Sequence, residues 1–192
     1  MIRLLWCLAK KTYGLGVIHD MAQHSNQTQS LDFWRTRIKQ AKDAGLPIDF
    51  AMAASGFDWG VIDKEHSSRI FKYATRNSKI LDVGCGYGRT AHWFADENYT
   101  GIDFVSEFVD EAHKRHPNKR FLVGNITEAL PFKDKEFDIA LLISVKRVIA
   151  PVVGEKVWGV VEKELKRVAK KVIILEYGMS RPKDIEESFE VL

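Results

Sequence analysis

The sequence predicts an α/β fold built on a doubly wound, mainly parallel sheet, and three observations lead to that expectation. From residue 79 onward, short apolar runs of strand character alternate with segments of helical periodicity. The run 137–143 is apolar almost throughout, as expected of a strand covered on both faces. Of the 192 residues, 45% are hydrophobic, which suits one domain with a sizeable core rather than two full-sized ones. Strand, helix and strand in this order imply right-handed crossovers.

Five strands are predicted in this part of the chain, at residues 79–84, 99–103, 120–124, 137–143 and 172–177. Helices are predicted between them at 90–97, 106–115 and 155–171. Only 15 residues follow Tyr177, so the outer edge of the last strand would be open, and an apolar edge invites pairing. We therefore expect residues 184–191 to cover this edge, or a second copy of the chain to cover it in a homodimer.

Residues 1–78 lack this alternation and are predicted to form an N-terminal helical cap on the domain at 79–192. Helices are expected at 31–44, with Ser30 as N-cap, and at 64–74. Between them, residues 50–60 are rich in Ala, Gly and aromatic side chains and are predicted to form a mobile lid. Residues 1–79 carry 12 basic and 7 acidic side chains, so the net charge of +3 arises in this part. An anionic partner would suit it.

The composition also disfavours several classes of protein. Two cysteines, Cys7 and Cys85, give no disulfide framework, and neither has neighbours at metal-ligand spacing, so no metal site is expected. A reducing, cytoplasmic location fits the same cysteine usage. The longest apolar run is well short of the roughly 20 residues of a membrane span, so no membrane insertion is expected.

A glycine-rich loop follows the first predicted strand, with glycines at 84, 86 and 88. Because glycine has no Cβ, such a loop turns tightly and lets a ligand lie against the main chain. A dinucleotide fingerprint would need a small residue at 89, where this chain has Arg89, and no Gly-Lys-Ser/Thr follows to make a Walker loop. The loop therefore belongs to neither of these two classes.

The Gly-x-Gly-x-Gly spacing, with Asp82 two residues ahead, resembles the first motif of class I S-adenosylmethionine-dependent methyltransferases. The resemblance continues through Tyr99-Thr-Gly-Ile-Asp103, residues 121–138 and residues 164–174, and so covers about 80–177. It implies a Rossmann-like sheet of order 3-2-1-4-5, here with a shortened C-terminal end, and S-adenosylmethionine as the cofactor.

The same resemblance implies the cofactor-binding residues. The terminal acid of the second strand, Asp103, would bind the two ribose hydroxyls, because a carboxylate can accept two donors at once. Asp82 would orient the loop or meet the amino group of the cofactor. Asn125 stands where the family usually has Asp and would accept from the adenine amino group, while Ile126 would offer its backbone N–H. The expected set is Asp82, Gly84, Cys85, Gly86, Gly88, Asp103, Phe104, Asn125, Ile126 and Ser144, with Cys85 as a small filler rather than a nucleophile.

The acceptor side is less defined, and no catalytic residue follows from the motifs. Where many small-molecule members carry a histidine after the fourth strand, this chain has Lys146 and Arg147, which can bind a carboxylate or phosphate or else form a solvated helix start. Lys146 and His66 are the candidate catalytic residues, with a helix-surface position as the alternative for His66. Trp59 is a candidate for the wall of the acceptor pocket.

Three functions remain open at this point. The first is methyl transfer to oxygen, nitrogen or sulfur of a small molecule. The second is methylation of tRNA, rRNA or protein, with acceptor binding through the basic N-terminal segment. The third is a non-catalytic or partner-dependent S-adenosylmethionine-binding protein. The signatures of amino-methylating and cytosine C5 DNA enzymes are absent from the sequence, which counts against methylation of DNA bases.

Overall fold

The computed structural model describes residues 31–52, 59–176 and 188–192. They fall into two compact units, which meet in sequence between Asp58 and Trp59. The predicted cap at 1–78 therefore spans both units, and its division from 79–192 stays a prediction. Much of the predicted lid and the N-terminal 30 residues lie outside the described residues.

The described part of the first unit, residues 31–52, contains two helices, α1 (Leu31–Asp43) and α2 (Asp49–Met52). Helix α1 confirms the helix predicted at 31–44. It stops at Gly45, whose φ of 63° is left-handed and whose N–H donates to the Lys42 carbonyl at 2.9 Å. The Arg37 side chain donates from Nε to the Ala51 carbonyl at 2.6 Å and so joins α1 to α2.

The second unit is built on a six-stranded sheet of order β3-β2-β1-β4-β5-β6. The strands are β1 (Ile80–Val83), β2 (Tyr99–Asp103), β3 (Arg120–Val123), β4 (Phe137–Ile143), β5 (Ala169–Glu176) and β6 (Ser188–Val191). The first five pair in parallel and β6 is antiparallel. The predicted fold class and the strand order 3-2-1-4-5 are confirmed.

Helices cover both faces of this sheet, as the doubly wound prediction requires. They are α3 (Trp59–Ile70), α4 (Ser106–Arg115) and α5 (Lys146–Val168). Leu81 and Val83 belong to the core beneath α5, whereas Ile80, one residue out of phase, belongs to the core beneath α3 and α4. Helix α5 begins nine residues before the predicted start and bends at Gly154, whose φ is 79°.

The helix predicted at 90–97 is wrong. The chain forms two 3₁₀ turns instead, Ala91–Trp93 and Asp96–Asn98, with Phe94 extended between them (φ −117°). Phe94 ends the first turn by donating its N–H to the Ala91 carbonyl, and its extended backbone accompanies the burial of Trp93 and Phe94 in one core. The Ala95 N–H donates to the Arg76 carbonyl at 2.9 Å rather than to a helical partner.

Strand β6 covers the outer edge of β5, which confirms the expectation that the tail does so. The register pairs Ile174 with Glu190, and the backbones of Val172 and Leu192 exchange hydrogen bonds of 3.1 and 2.9 Å. The homodimer was the alternative way of covering this edge, and β6 already occupies it. No helix in the described part of the chain is long and apolar enough to cross a membrane.

Gly101 of β2 provides a test of this packing. A Cβ there would lie 2.6 Å from Phe121 Cδ1 and 2.8 Å from Cys85 Sγ. We expect Gly101→Ala to lower the free energy of unfolding by about 1–3 kcal/mol, the usual effect of overpacking. Gly159→Ala is the control, because a Cβ in α5 meets nothing within 4 Å and alanine favours a helix by about 0.5–1 kcal/mol. Urea denaturation should show effects of opposite sign, and equal stabilities would contradict this packing.

Candidate cofactor and acceptor site

The glycine loop connects β1 to the first 3₁₀ turn at the carboxyl edge of the sheet. Gly84, Gly86 and Gly88 all have left-handed backbone, with φ of 70°, 54° and 76°. The N–H groups of Gly84 and Cys85 both donate to the Ile102 carbonyl, at 2.8 and 3.1 Å, which fixes the loop against β2. A Cβ at Gly84 would lie 2.6 Å from the Val145 side chain. The loop therefore leaves no room for a side chain where it approaches the segment after β4.

Asp82 holds this loop from below. Its buried carboxylate accepts hydrogen bonds from the Tyr99 hydroxyl at 2.6 Å and from the Thr90 hydroxyl. Burial raises the pKa of Asp82 to about 6, with the neighbouring Asp103 adding to the effect and the two hydroxyl groups opposing it. These contacts favour loop orientation over a contact with the cofactor, the two roles expected for this residue.

Asp103 ends β2 directly opposite the loop. One carboxylate oxygen accepts the Gly86 N–H and the other the Val105 N–H, both at 2.9 Å. Burial raises the pKa of Asp103 to about 6, and the hydrogen bonds from backbone amides oppose this rise. Each oxygen keeps a further lone pair, so the carboxylate can still accept two hydroxyl groups.

The remaining expected cofactor residues fall into two groups. Cys85 is buried in the loop, and burial raises the pKa of its thiol well above the ordinary value, which suits the filler role. Asn125 is exposed, and its Oδ1 accepts from the backbone and hydroxyl of Thr127 at 3.0 and 2.9 Å. Ile126 is buried beside it, whereas Phe104 is half-buried after β2. The adenine role of Asn125 stays a prediction, because its oxygen already closes a local turn.

At the end of β4, Ser144 has a left-handed backbone with φ of 58°. Its N–H donates to the Leu175 carbonyl of β5 at 2.7 Å. A non-glycine residue in this region costs about 1–3 kcal/mol and persists only where its surroundings hold it. The left-handed turn at Ser144 leads the chain from β4 directly into α5. The resemblance to the methyltransferase family places the cofactor and the acceptor at this turn.

Glu176, which the sequence analysis missed, lies beside this turn. It ends β5, and its Oε1 accepts the Lys146 N–H at 2.9 Å, while the backbone amide of Arg147 lies near enough to favour the carboxylate form. The residue is 8% exposed, and Oε2 has no hydrogen-bond partner among the described residues. Burial raises the pKa of Glu176 to about 7, opposed by these amides and by the charges of Arg147 and Lys146. The sequence does hold one signal for this residue, because Glu176 is a charged side chain that directly follows the apolar run 172–175.

The structure gives Lys146 a partner within the chain. Its Nζ lies 3.0 Å from both carboxylate oxygens of Glu190 in β6 and 5.9 Å from the centre of the Trp158 ring. The Lys146 ammonium group is thus paired with Glu190, which does not support the expectation that it binds an anionic acceptor. Arg147 is half-buried, and its acceptor role stays a prediction.

His66 and Trp59 both belong to α3. His66 is 2% exposed, so the helix-surface alternative is wrong. Burial lowers the pKa of His66 to about 4, and the imidazole is neutral at physiological pH. The side chain of Trp59 lies outside the described residues. Helix α3 is joined to the end of the glycine loop by an ion pair between Asp63 and Arg89.

The glycine loop, the acid that ends β2 and the strained turn after β4 share the carboxyl edge of a sheet ordered 3-2-1-4-5. Together they define a class I methyltransferase fold with a nucleoside-type cofactor site. Residues 80–171 match the family model described as "Methyltransferase domain". The chain carries a class I S-adenosylmethionine-dependent methyltransferase domain.

Known proteins similar to this chain differ in their acceptors. It is 34% identical over 67 residues to the 18S rRNA (guanine-N(7))-methyltransferase of Bos taurus, covering 34% of this chain and 24% of that protein. It is 36% identical over 69 residues to the fatty-acid O-methyltransferase of Mycolicibacterium smegmatis, covering 33% and 25%. The aligned part thus spans about a quarter of each relative.

Among solved structures, phosphoethanolamine N-methyltransferase 1 of Haemonchus contortus, in complex with phosphoethanolamine and S-adenosylhomocysteine, shares the fold. The TM-score is 0.56 at 16% sequence identity, and the match covers 83% of this chain and 35% of that chain.

Proposed function

We propose that this protein transfers a methyl group from S-adenosylmethionine to oxygen, nitrogen or sulfur of a small-molecule acceptor. The observation that carries the proposal is the position of Glu176. A buried carboxyl group stands next to the turn after β4, on the same edge of the sheet as the glycine loop. A carboxyl group that is only 8% exposed is more accessible to a small acceptor molecule than to the surface of a macromolecule.

The residues of the site fit the proposed cofactor. The glycines of the loop place no side chain between the main chain and a ligand, and the Asp103 carboxylate keeps lone pairs for the ribose hydroxyls. When bound, S-adenosylmethionine supplies a methyl group on a sulfonium, so most of the chemistry belongs to the cofactor. The chain would hold it with the loop and Asp103, exclude water, and place the acceptor nucleophile at near-attack distance.

The charge distribution also favours a small molecule over RNA at this edge. Residues 80–154 contain 9 basic and 11 acidic side chains, and residues 155–192 contain 8 of each, a net charge of −2. Several of these cations are already engaged within the chain, as in the ion pairs of Lys146 with Glu190 and Lys170 with Asp138. RNA binding draws its affinity from free cations facing phosphates.

RNA methylation is the second candidate, favoured by two observations. The first is that the relative from Bos taurus is named as a methyltransferase of 18S rRNA. The second is that residues 1–79 hold 12 basic side chains and 7 acidic ones. An RNA acceptor would then bind through this N-terminal part.

A screen with methyl-labelled S-adenosylmethionine against metabolite pools and total RNA separates the two candidates. We expect label in small molecules and little change in acceptor affinity between 50 and 200 mM salt. For RNA bound through 6–10 phosphates, affinity would fall by about 10³–10⁵ over that range. Label in RNA with this salt dependence would contradict the small-molecule proposal.

A further inference from the structure

We infer that the Glu176 carboxylate is the proton acceptor of the methyl-acceptor site, taking on Oε2 the proton that an N–H or O–H acceptor loses. This inference rests on the proposed methyltransferase function and names a residue for a step that the sequence left without one. The acceptors it implies are amines and hydroxyl compounds, which carry a proton that must leave.

A series of contacts links Glu176 to the cofactor loop. Gly84 faces the Val145 side chain closely enough that a Cβ would lie 2.6 Å from it. The next residue, Lys146, donates its N–H to Glu176 Oε1 at 2.9 Å. On the other side, Ser144 donates its N–H to Leu175, the residue before Glu176, at 2.7 Å. The carboxyl group therefore borders the same turn as the loop that would hold the cofactor.

The two oxygens of Glu176 have different surroundings. Oε1 caps the first turn of α5, which would explain a carboxylate at this place by itself. Capping does not explain Oε2, which is buried and accepts no hydrogen bond from any described residue. A buried polar atom without a hydrogen-bond partner destabilises the folded state. An N–H or O–H of a bound acceptor would satisfy it.

The charges around Glu176 leave it able to accept and release a proton near neutral pH. Helix α5 contributes Lys146 and Arg147, whose charges and backbone amides favour the carboxylate. Strand β6 contributes Glu190, which engages the Lys146 ammonium group at 3.0 Å. Burial outweighs the favourable groups, and the pKa of Glu176 rises to about 7. Below that pH the carboxyl is already protonated and accepts no proton.

The step balances without a further reactant. The lone pair of the acceptor nitrogen or oxygen forms the bond to the methyl carbon, and the electron pair of the carbon–sulfur bond stays on sulfur. The proton of the acceptor moves to Oε2. A sulfonium and a carboxylate thus become a neutral thioether and a neutral carboxylic acid.

Glu176→Gln is the direct test, because glutamine Oε1 can still accept the Lys146 N–H. With the acceptor most strongly labelled in the screen, we expect kcat to fall by about 10²-fold or more. In the wild type, kcat should rise with pH through about 7 as Glu176 deprotonates, and this limb should be lost in the variant. Cofactor affinity by calorimetry should stay unchanged, and the melting temperature should not fall, because burial disfavours the charged carboxylate that the amide replaces.

Glu190→Gln is the matched control, since it removes a carboxylate from the neighbouring strand that contacts the same lysine. We expect it to keep the limb of the pH profile. A second measurement needs no acceptor: titration of the Glu176 carboxyl carbon by ¹³C NMR should give a midpoint near 7.

Wild-type activity with an unchanged Glu176→Gln profile, or a carboxyl midpoint near 4, would overturn the role of Glu176. Absence of methyl transfer to any acceptor by the wild type would instead overturn the proposed function.

Discussion

Asp103→Ala is expected to weaken S-adenosylmethionine binding by roughly 1.5–3 kcal/mol, the range for a hydrogen bond to a charged group. This corresponds to about a 10- to 150-fold increase in Kd. Two effects act in the same direction. The alanine removes the acceptor proposed for the ribose hydroxyls, and it leaves the Gly86 N–H without the carboxylate that now accepts it at 2.9 Å. Isothermal titration calorimetry measures the change directly.

Two further variants separate these effects. Asp103→Asn keeps one side-chain oxygen for the Gly86 N–H, and we expect it to lose less affinity than the alanine variant. Asp110→Ala removes an exposed carboxylate from α4 and should bind the cofactor as the wild type does. An Asp103→Ala protein with wild-type affinity would exclude this site as the place of the cofactor.

Gly84→Ala is expected to lower the free energy of unfolding by about 2–5 kcal/mol, because two costs combine. Left-handed backbone, here with φ of 70°, costs an alanine roughly 1–2 kcal/mol. The added Cβ would lie 2.6 Å from Val145 Cγ2, and overpacking of this kind costs about 1–3 kcal/mol. Chemical denaturation gives the value.

Gly154→Ala separates the backbone cost from the clash. Its φ of 79° and ψ of 159° also lie in a region that favours glycine, but a Cβ there meets nothing within 4 Å. We expect this variant to lose only a backbone cost of about 1–3 kcal/mol. A Gly84→Ala variant that is no less stable than Gly154→Ala would contradict the clash with Val145.

Much of the cofactor side was predictable because its signals are local in sequence. The left-handed turns of Gly84, Gly86 and Gly88 require a residue type that is visible in the chain itself. The position of Asp103 follows from an apolar strand that ends in an acid. The strand order 3-2-1-4-5 was predictable because the motifs occur along the chain in the order typical of class I methyltransferases.

The acceptor side depended on contacts between distant residues. Glu176 caps a helix that begins 30 residues earlier, and its burial depends on the register of β4 with β5. Lys146 is engaged by Glu190, 44 residues away on a strand that the sequence indicated only as a short tail element. The helix predicted at 90–97 failed because Phe94 is extended and the Ala95 N–H pairs with Arg76, a residue outside the predicted helix.

The position of Cys85 has a consequence for kinetic experiments. Its thiol is enclosed within the glycine loop, next to Gly101 and close to Asp103, and burial holds its pKa well above the ordinary value. A thiolate-seeking reagent reaches such a sulfur only when the surrounding segment opens. In a background where Cys7 is replaced by serine, the labelling rate of Cys85 therefore measures how often the loop opens. Cys85 is therefore a natural chemical probe of the opening of the glycine loop.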